Sequence, residues 1–145
     1  MKFLPVGLNI AQKKILIVGG GAVAAQKARS LRRFTGNLFV VAEKAGEELR
    51  RTGVRFREKP YAPNDLNGVF LVYACTDKKP VNARICRDAH KRGILVNVAD
   101  SPGKSSFISP AIYKKGYMTA AVLSDGKNVR RSIAWRDKIK GLLKK

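Results

Sequence analysis

Three consecutive glycines, Gly19-Gly20-Gly21, constrain the fold of this chain more than any other feature. They follow Lys14-Ile-Leu-Ile-Val18, a short apolar run that reads as a buried strand. They precede Ala22 to Phe34, a stretch rich in Ala, Leu, Lys and Arg, all good helix formers. In a strand–turn–helix setting, the pattern Gly19-x-Gly21-x-x-Ala24 gives each small residue a task. The first permits a tight turn, the second lets backbone approach a diphosphate, and the third allows close packing of helix on strand. The amides that open the helix lack intrahelical partners and sit at the positive end of its dipole, which favours an anion. The segment Gly19, Gly20, Gly21, Ala22, Val23 and Ala24 therefore reads as a dinucleotide turn. The plainer alternative is a glycine turn that only joins two elements.

The rest of the chain supports a sheet built around that unit. Leu38 to Ala42 reads as a second strand, and Val54 to Lys59 alternates apolar and basic residues as an edge strand does. Val69 to Ala74 is a continuous apolar run, the mark of a central parallel strand covered on both faces. Pro80 to Arg92 fits a helix with proline in its first turn, and Ile94 to Val98 a fifth strand. Strands alternating with helices predict an α/β fold, a Rossmann-like doubly wound parallel sheet. After Asp100 the pattern changes. Phe107 to Ile112 and Tyr117 to Leu123 read as strands separated by Lys114-Lys115-Gly116. Val129 to Lys145 reads as a helix with Trp135, Ile139, Leu142 and Leu143 on one apolar face. The expected division is a nucleotide-binding domain over 1–103 and a strand–strand–helix extension over 104–145.

Ligands of such sheets lie beyond the carboxyl ends of the strands, where strand order reverses. The glycine turn, Thr76-Asp77 and Asn97-Val98-Ala99-Asp100 converge there. An acidic residue about 20 positions past the glycines binds the ribose hydroxyls of NAD. Glu43 has that spacing, although it also fits a solvated loop, and the adjacent Lys44 could meet a 2′-phosphate instead. Asp100 could accept a proton as hydride leaves a substrate. It could equally cap the turn made by Ser101-Pro102-Gly103.

Composition adds one unusual fact. Thirty Lys and Arg stand against ten Asp and Glu, a formal net charge of +20 over 145 residues. Such a field concentrates polyanions: nucleic acid, an anionic membrane or a carboxylate-rich small molecule. It also fits a surface charged only for solvation. The aromatics are not interleaved with the basic residues as single-strand binders require, which disfavours nucleic acid as main partner. No apolar run approaches a membrane span, and Met1-Lys2 does not open a secretory signal, so a cytoplasmic protein is expected. Cys75 and Cys86 read as reduced, packed thiols and His90 as a helix-surface residue. No His, Cys and carboxylate cluster has metal-ligand spacing.

Several stretches taken together resemble the precorrin-2 dehydrogenases, including the dehydrogenase part of sirohaem synthase. They are Leu4-Pro5-Val6, Ile15 to Ala24 with Lys27-Ala28-Arg29, Ala74-Cys-Thr-Asp77, Val81-Asn82 and Val96-Asn-Val-Ala-Asp-Ser-Pro102. Ser106-Phe107-Ile108 and Pro110-Ala111-Ile112 follow in order, so the match runs from about residue 3 to 125. The resemblance implies an oxidoreductase that uses NAD to convert precorrin-2 to sirohydrochlorin. It implies that Asp100 is the catalytic aspartate, that Gly19, Gly21, Val23 and Thr76 touch the cofactor, and that Phe107 to Leu123 forms a homodimer contact. Precorrin-2 carries eight carboxylic acids, ionised near neutral pH, so a basic cleft would hold it; Lys104, Lys127, Arg130, Arg131 and Ser124 are candidate contacts. Two departures stand out. The family's C-terminal helical domain is largely missing, and its Ser-Gly-Gly-x-Ser-Pro-like turn becomes Ser124-Asp-Gly-Lys-Asn-Val129. Some members also insert ferrous iron. A non-catalytic NAD-binding regulatory module is the competing reading.

Overall fold

The computed structural model describes residues 1–144; Lys145, the last residue of the expected C-terminal helix, lies outside the described residues. The chain forms two compact units, one from Leu8 to Phe107 and one from Met1–Gly7 together with the residues from Ile108 onward.

The larger unit is a five-stranded sheet: β1 (Lys14–Val18), β2 (Leu38–Ala42), β3 (Arg55–Glu58), β4 (Val69–Ala74) and β5 (Leu95–Val98). The order is β3-β2-β1-β4-β5 and every pairing is parallel, the doubly wound arrangement expected. Strand β4 and, after Lys14, strand β1 are continuous apolar runs because both faces are covered. On one face, Ile15 and Ile17 pack against Ala24, Ala25 and Ala28 of α1 (Ala22–Leu31). On the other, Leu16 and Val18 meet Ile85, Cys86 and Ala89 of α3 (Lys79–Lys91). Alanines on α1 let the helix axis approach the strand closely, which seats its first turn directly at the end of β1. In β3 the half-buried Phe56 sits between exposed Arg55 and Arg57, the alternation of an edge strand.

One helix has no counterpart in the sequence reading. α2 (Glu47–Arg51) buries only Leu49, so no apolar period marks it. Glu47 and Glu48 in its first turn and Arg50 and Arg51 in its last complement the helix dipole.

The smaller unit pairs β6 (Ala111–Lys115) with β7 (Met118–Val122) in antiparallel register and adds α4 (Val129–Leu142). The strand expected from Phe107 begins instead at Ala111. Phe107 belongs to the sheet unit: its ring meets Tyr73 edge-on at 5.4 Å, and its carbonyl accepts from Asn97 Nδ2 at 3.0 Å. Pro110, which has no N–H, stands just ahead of the hairpin. The face of α4 also differs from the expected one. Ser132, Arg136 and Ile139 are its least exposed residues, whereas Trp135 is 53% exposed and Leu142 72%. Polar contacts account for this. Ser132 Oγ donates to Ser124 Oγ at 3.0 Å, and Arg136 Nη1 donates to the Ile112 carbonyl at 3.4 Å. Asn128 caps the helix by accepting from the Arg131 amide at 2.9 Å.

Candidate dinucleotide-binding site

Strand order reverses between β1 and β4, and the backbone there is stitched across the strand ends. The Gly19 amide donates to the Val41 carbonyl at 2.9 Å, the Cys75 amide to Val18 at 2.8 Å, and the Ala99 amide to Ala74 at 3.0 Å. The loops beyond these bonds enclose a cleft of about 580 Å³ lined by Gly19 to Val23 on one side and by Glu43, Lys44, Cys75, Thr76, Asp77 and Lys78 on others.

The three glycines do different jobs. Gly19 has φ +134, and a Cβ there would lie 2.4 Å from the Cys75 carbonyl oxygen. Only glycine fits that conformation and that approach. A Cβ on Gly20 would lie 2.0 Å from the Lys44 carbonyl oxygen, and the Gly20 carbonyl accepts from the Gly46 amide at 2.9 Å. Gly20 thus packs the turn against the loop after β2. Gly21 differs from both: beyond its two chain neighbours, no atom lies within 4 Å of a Cβ built on it. That open space borders the first turn of α1, where the amides of Ala22 and Val23 have no intrahelical acceptor. A diphosphate fits there, against backbone and with the helix dipole behind it. Ala24 is fully buried in the core beneath, the small residue that brings helix and strand together.

The opposite wall is held by a residue to which sequence reasoning assigned no role. Asn82, 1% exposed on α3, grips the Thr76 peptide from both sides. Its Nδ2 donates to the Thr76 carbonyl at 2.9 Å. Its Oδ1 accepts from the Thr76 amide at 3.1 Å and from Thr76 Oγ1 at 2.7 Å. Thr76 Oγ1 in turn accepts from the Lys78 amide at 3.2 Å. The available signal was a polar residue in the apolar stripe Asn82, Ile85, Cys86 and Ala89. Thr76 and Asp77 are therefore presented on a stiff turn.

Glu43, just past β2, is exposed at the cleft, and its Oε2 accepts from Lys78 Nζ at 2.6 Å. The carboxylate in turn holds the Lys78 ammonium above its usual pKa. Glu58 ties down the loop beneath: it accepts from the Ala45 amide at 2.9 Å and from Arg50 at 2.6 Å. The Ala45 bond is the main reason its carboxyl lies below the usual range, with Arg50 adding to it.

Cys75, just past β4, is a buried thiol pushed up to about 11 by burial. The charges of Lys27 and Asp100 both reach it, in opposite senses. Lys27 rests over the Tyr73 ring at 5.7 Å, half-buried, with burial lowering its ammonium pKa. Asp100 is exposed, one residue past the Ala99–Ala74 bond, and is not among the residues lining the cleft. It does not cap the turn that follows. That turn closes through backbone bonds from Ser101 to Val98 and from Lys104 to Ser101. Ser105 Oγ also accepts from the Val98 amide at 2.8 Å.

Residues 6–111 match an NAD(P)-binding family model. The chain belongs to that NAD(P)-binding family. Among curated relatives of this NAD(P)-binding chain, the siroheme synthase of Azotobacter vinelandii is 41% identical over 130 residues, covering 87% of this chain and 28% of the relative. Siroheme synthase 3 of Aeromonas hydrophila is 36% identical over 147 residues, covering 99% of this chain and 31% of the relative. The chain thus spans less than a third of the length of these relatives. The solved structure of SirC, a precorrin-2 dehydrogenase, superposes with a TM-score of 0.83 over 96% of this chain and 70% of that chain, at 22% identity. It shows the same fold.

The expected substrate contacts of this NAD(P)-binding chain are divided between the two units. Lys104 lines a second cleft of about 490 Å³ beside Cys86, Arg87 and His90. Ser124, Lys127, Arg130 and Arg131 belong to the smaller unit. There the Ser124 hydroxyl accepts from the Asn128 amide at 3.0 Å, and Arg131 lies over the Trp135 ring at 5.7 Å. Arg130 and Lys127 are exposed. Among the described residues no group of three or more His, Cys, Asp or Glu could hold a metal ion. Among the same residues, no helix is long and apolar enough to cross a membrane.

Proposed function

We propose that this chain oxidises precorrin-2 to sirohydrochlorin, with NAD as hydride acceptor. The observation that carries the reading is the open diphosphate cradle at Gly21; Asp100, exposed and not used to cap its own turn, is the carboxylate assigned to the proton. Its support from comparison is the likeness to siroheme synthases over most of this chain.

Gly21 and the opening amides of α1 receive the diphosphate. Glu43 accepts from the adenosine ribose hydroxyls, and the Asn82-braced turn of Thr76 and Asp77 forms the facing wall. Bound there, NAD supplies a two-electron oxidant that takes up hydride. The Asp100 carboxylate accepts the proton lost from the substrate and returns it to water, so that one hydride and one proton leave precorrin-2. The excess of positive charge steers a substrate bearing many carboxylates. Exposed Tyr117, Met118 and Trp135 in the smaller unit support a homodimer built through that unit, and a cytoplasmic location belongs to the same reading.

The test is to mix the chain with NAD and precorrin-2 and follow NADH and sirohydrochlorin by absorbance. Both products are expected together. Asp100→Ala should lose turnover while still binding NAD. An Asp100→Ala protein with full activity would overturn the role of Asp100, and NAD binding without any product would identify a regulatory module instead.

A further inference from the structure

We propose that Lys27 is a further substrate contact, whose ammonium takes a carboxylate arm of the tetrapyrrole at the carboxyl end of β4. The inference rests on the proposed oxidation and adds to it a residue that orients the substrate.

Helix α1 turns three sides to its surroundings. Ala24, Ala25 and Ala28 are buried against the sheet. Arg29 leaves on the side of α2, where it pairs with Glu48 at 3.6 Å. Lys27, two residues earlier, points nearly the opposite way. Its ammonium stands 5.7 Å from the centre of the Tyr73 ring. Lys27 is also one turn past Val23, which lines the dinucleotide cleft, and residues four apart share a helix edge. Tyr73 is the last residue but one of β4 and pairs with Asn97 of β5. Asp100 follows three residues later, past the bond from the Ala99 amide to the Ala74 carbonyl. Lys27 and Asp100 therefore belong to the same end of β4, and both charges act on the Cys75 thiol just beyond that strand.

A half-buried ammonium ordinarily has an acceptor, because it carries three donors and loses water on burial. The face of Tyr73 attracts the charge but does not satisfy three donors. Among the described residues no oxygen accepts a hydrogen bond from Lys27, and no carboxylate pairs with it. Burial accordingly holds its ammonium below the usual pKa. Among the same residues only Ser109 Oγ is both fully buried and without a hydrogen bond, so the Lys27 ammonium reaches the surface. Other lysines near the site differ. Lys59 and Lys78 line the dinucleotide cleft with their ammonium groups already 2.6 Å from Asp65 and Glu43. Lys27 is thus an open cation with its acceptor still to come, on the helix edge that leads from the cleft. A substrate ringed with carboxylates supplies that acceptor, and one such bond at the rim fixes how the ring lies against the cofactor.

The experiment is steady-state kinetics of the full chain at saturating NAD with varied precorrin-2, for wild type, Lys27→Met, Lys27→Arg and Arg29→Met. Arg29→Met removes the same charge from the other side of α1 and so controls for steering by net charge. NAD calorimetry and urea unfolding accompany each protein. Lys27→Met should raise KM for precorrin-2 about tenfold or more, the loss of one charge-assisted bond. Its kcat should stay within about threefold, because a contact at the rim serves substrate and transition state alike. Lys27→Arg should recover most of the KM. NAD affinity should match wild type, and Lys27→Met should be no less stable, since it removes a charge that burial disfavours. A KM for Lys27→Met equal to that of Arg29→Met overturns the inference, as does a defect that lies in NAD affinity or in folding; wild-type turnover then still upholds the oxidation. Wild type that forms neither NADH nor sirohydrochlorin removes both.

Discussion

Gly21→Ala sets a methyl group in open space above the first turn of α1, where no atom beyond its two chain neighbours lies within 4 Å of it. Gly21 has φ −86 and ψ −168, which alanine adopts without strain. The folded state loses a little because glycine is the better N-cap, and the unfolded state loses entropy, so the two effects nearly cancel within about 1 kcal/mol. Binding is another matter. The methyl occupies the surface that a diphosphate must reach to meet the amides of Ala22 and Val23. Losing one charge-assisted bond of that kind costs about 1.5–3 kcal/mol, or roughly 10- to 150-fold in Kd. Gly20→Ala provides the contrast. Its Cβ would fall 2.0 Å from the Lys44 carbonyl oxygen, so the loop after β2 must move. Such overpacking costs about 1–3 kcal/mol of stability, at the upper end because the obstacle is backbone. Denaturant unfolding and NAD calorimetry on both variants check the pair. Gly21→Ala should unfold with wild-type stability and bind NAD at least tenfold more weakly, while Gly20→Ala should be clearly destabilised. Wild-type affinity in a folded Gly21→Ala protein would show that no diphosphate lies there.

Two further outcomes test how the site is held. Asn82→Ala removes three hydrogen bonds to Thr76 from a buried position and should cost about 1–3 kcal/mol in urea unfolding, with weaker NAD binding. Asn82→Asp, which keeps both acceptor contacts but not the donor, should fall between. Equal stability of all three proteins would show that the clamp does not hold. Glu58 has its folded-state pKa depressed below its ordinary value of about 4.5, chiefly by the Ala45 amide. Its contribution is therefore present above that value and is lost as pH falls through the folded pKa. Melting temperature measured from pH 6 to 3 should drop less steeply in Glu58→Gln than in wild type; parallel curves would remove the Ala45 bond as the cause.

Much of this molecule was legible from local pattern. The apolar runs of β1 and β4 reveal central strands because burial on both faces leaves no polar position. The glycine turn reveals itself because strand, turn and helix are contiguous, so the chemistry of Gly19, Gly21 and Ala24 is written within six residues. Where burial was slight, the pattern failed. α2 hides one side chain, and the polar contacts of Ser132 and Arg136 orient α4 against its apolar stripe.

What only the tertiary structure decided lies between strands. Sheet order puts the ends of β2 and β4 on either side of β1, from which follow the contact of Gly20 with Lys44 and the bond from Glu43 to Lys78, and it puts β5 beside β4, which brings Asp100 near Cys75. Glu43 and Lys78 are 35 residues apart, and no periodicity in a chain records which two loop charges will meet. Local sequence sets which residues are buried and where a helix can begin, because those depend on neighbours along the chain. Which side chains share a cleft depends on the crossovers that bring distant strand ends together.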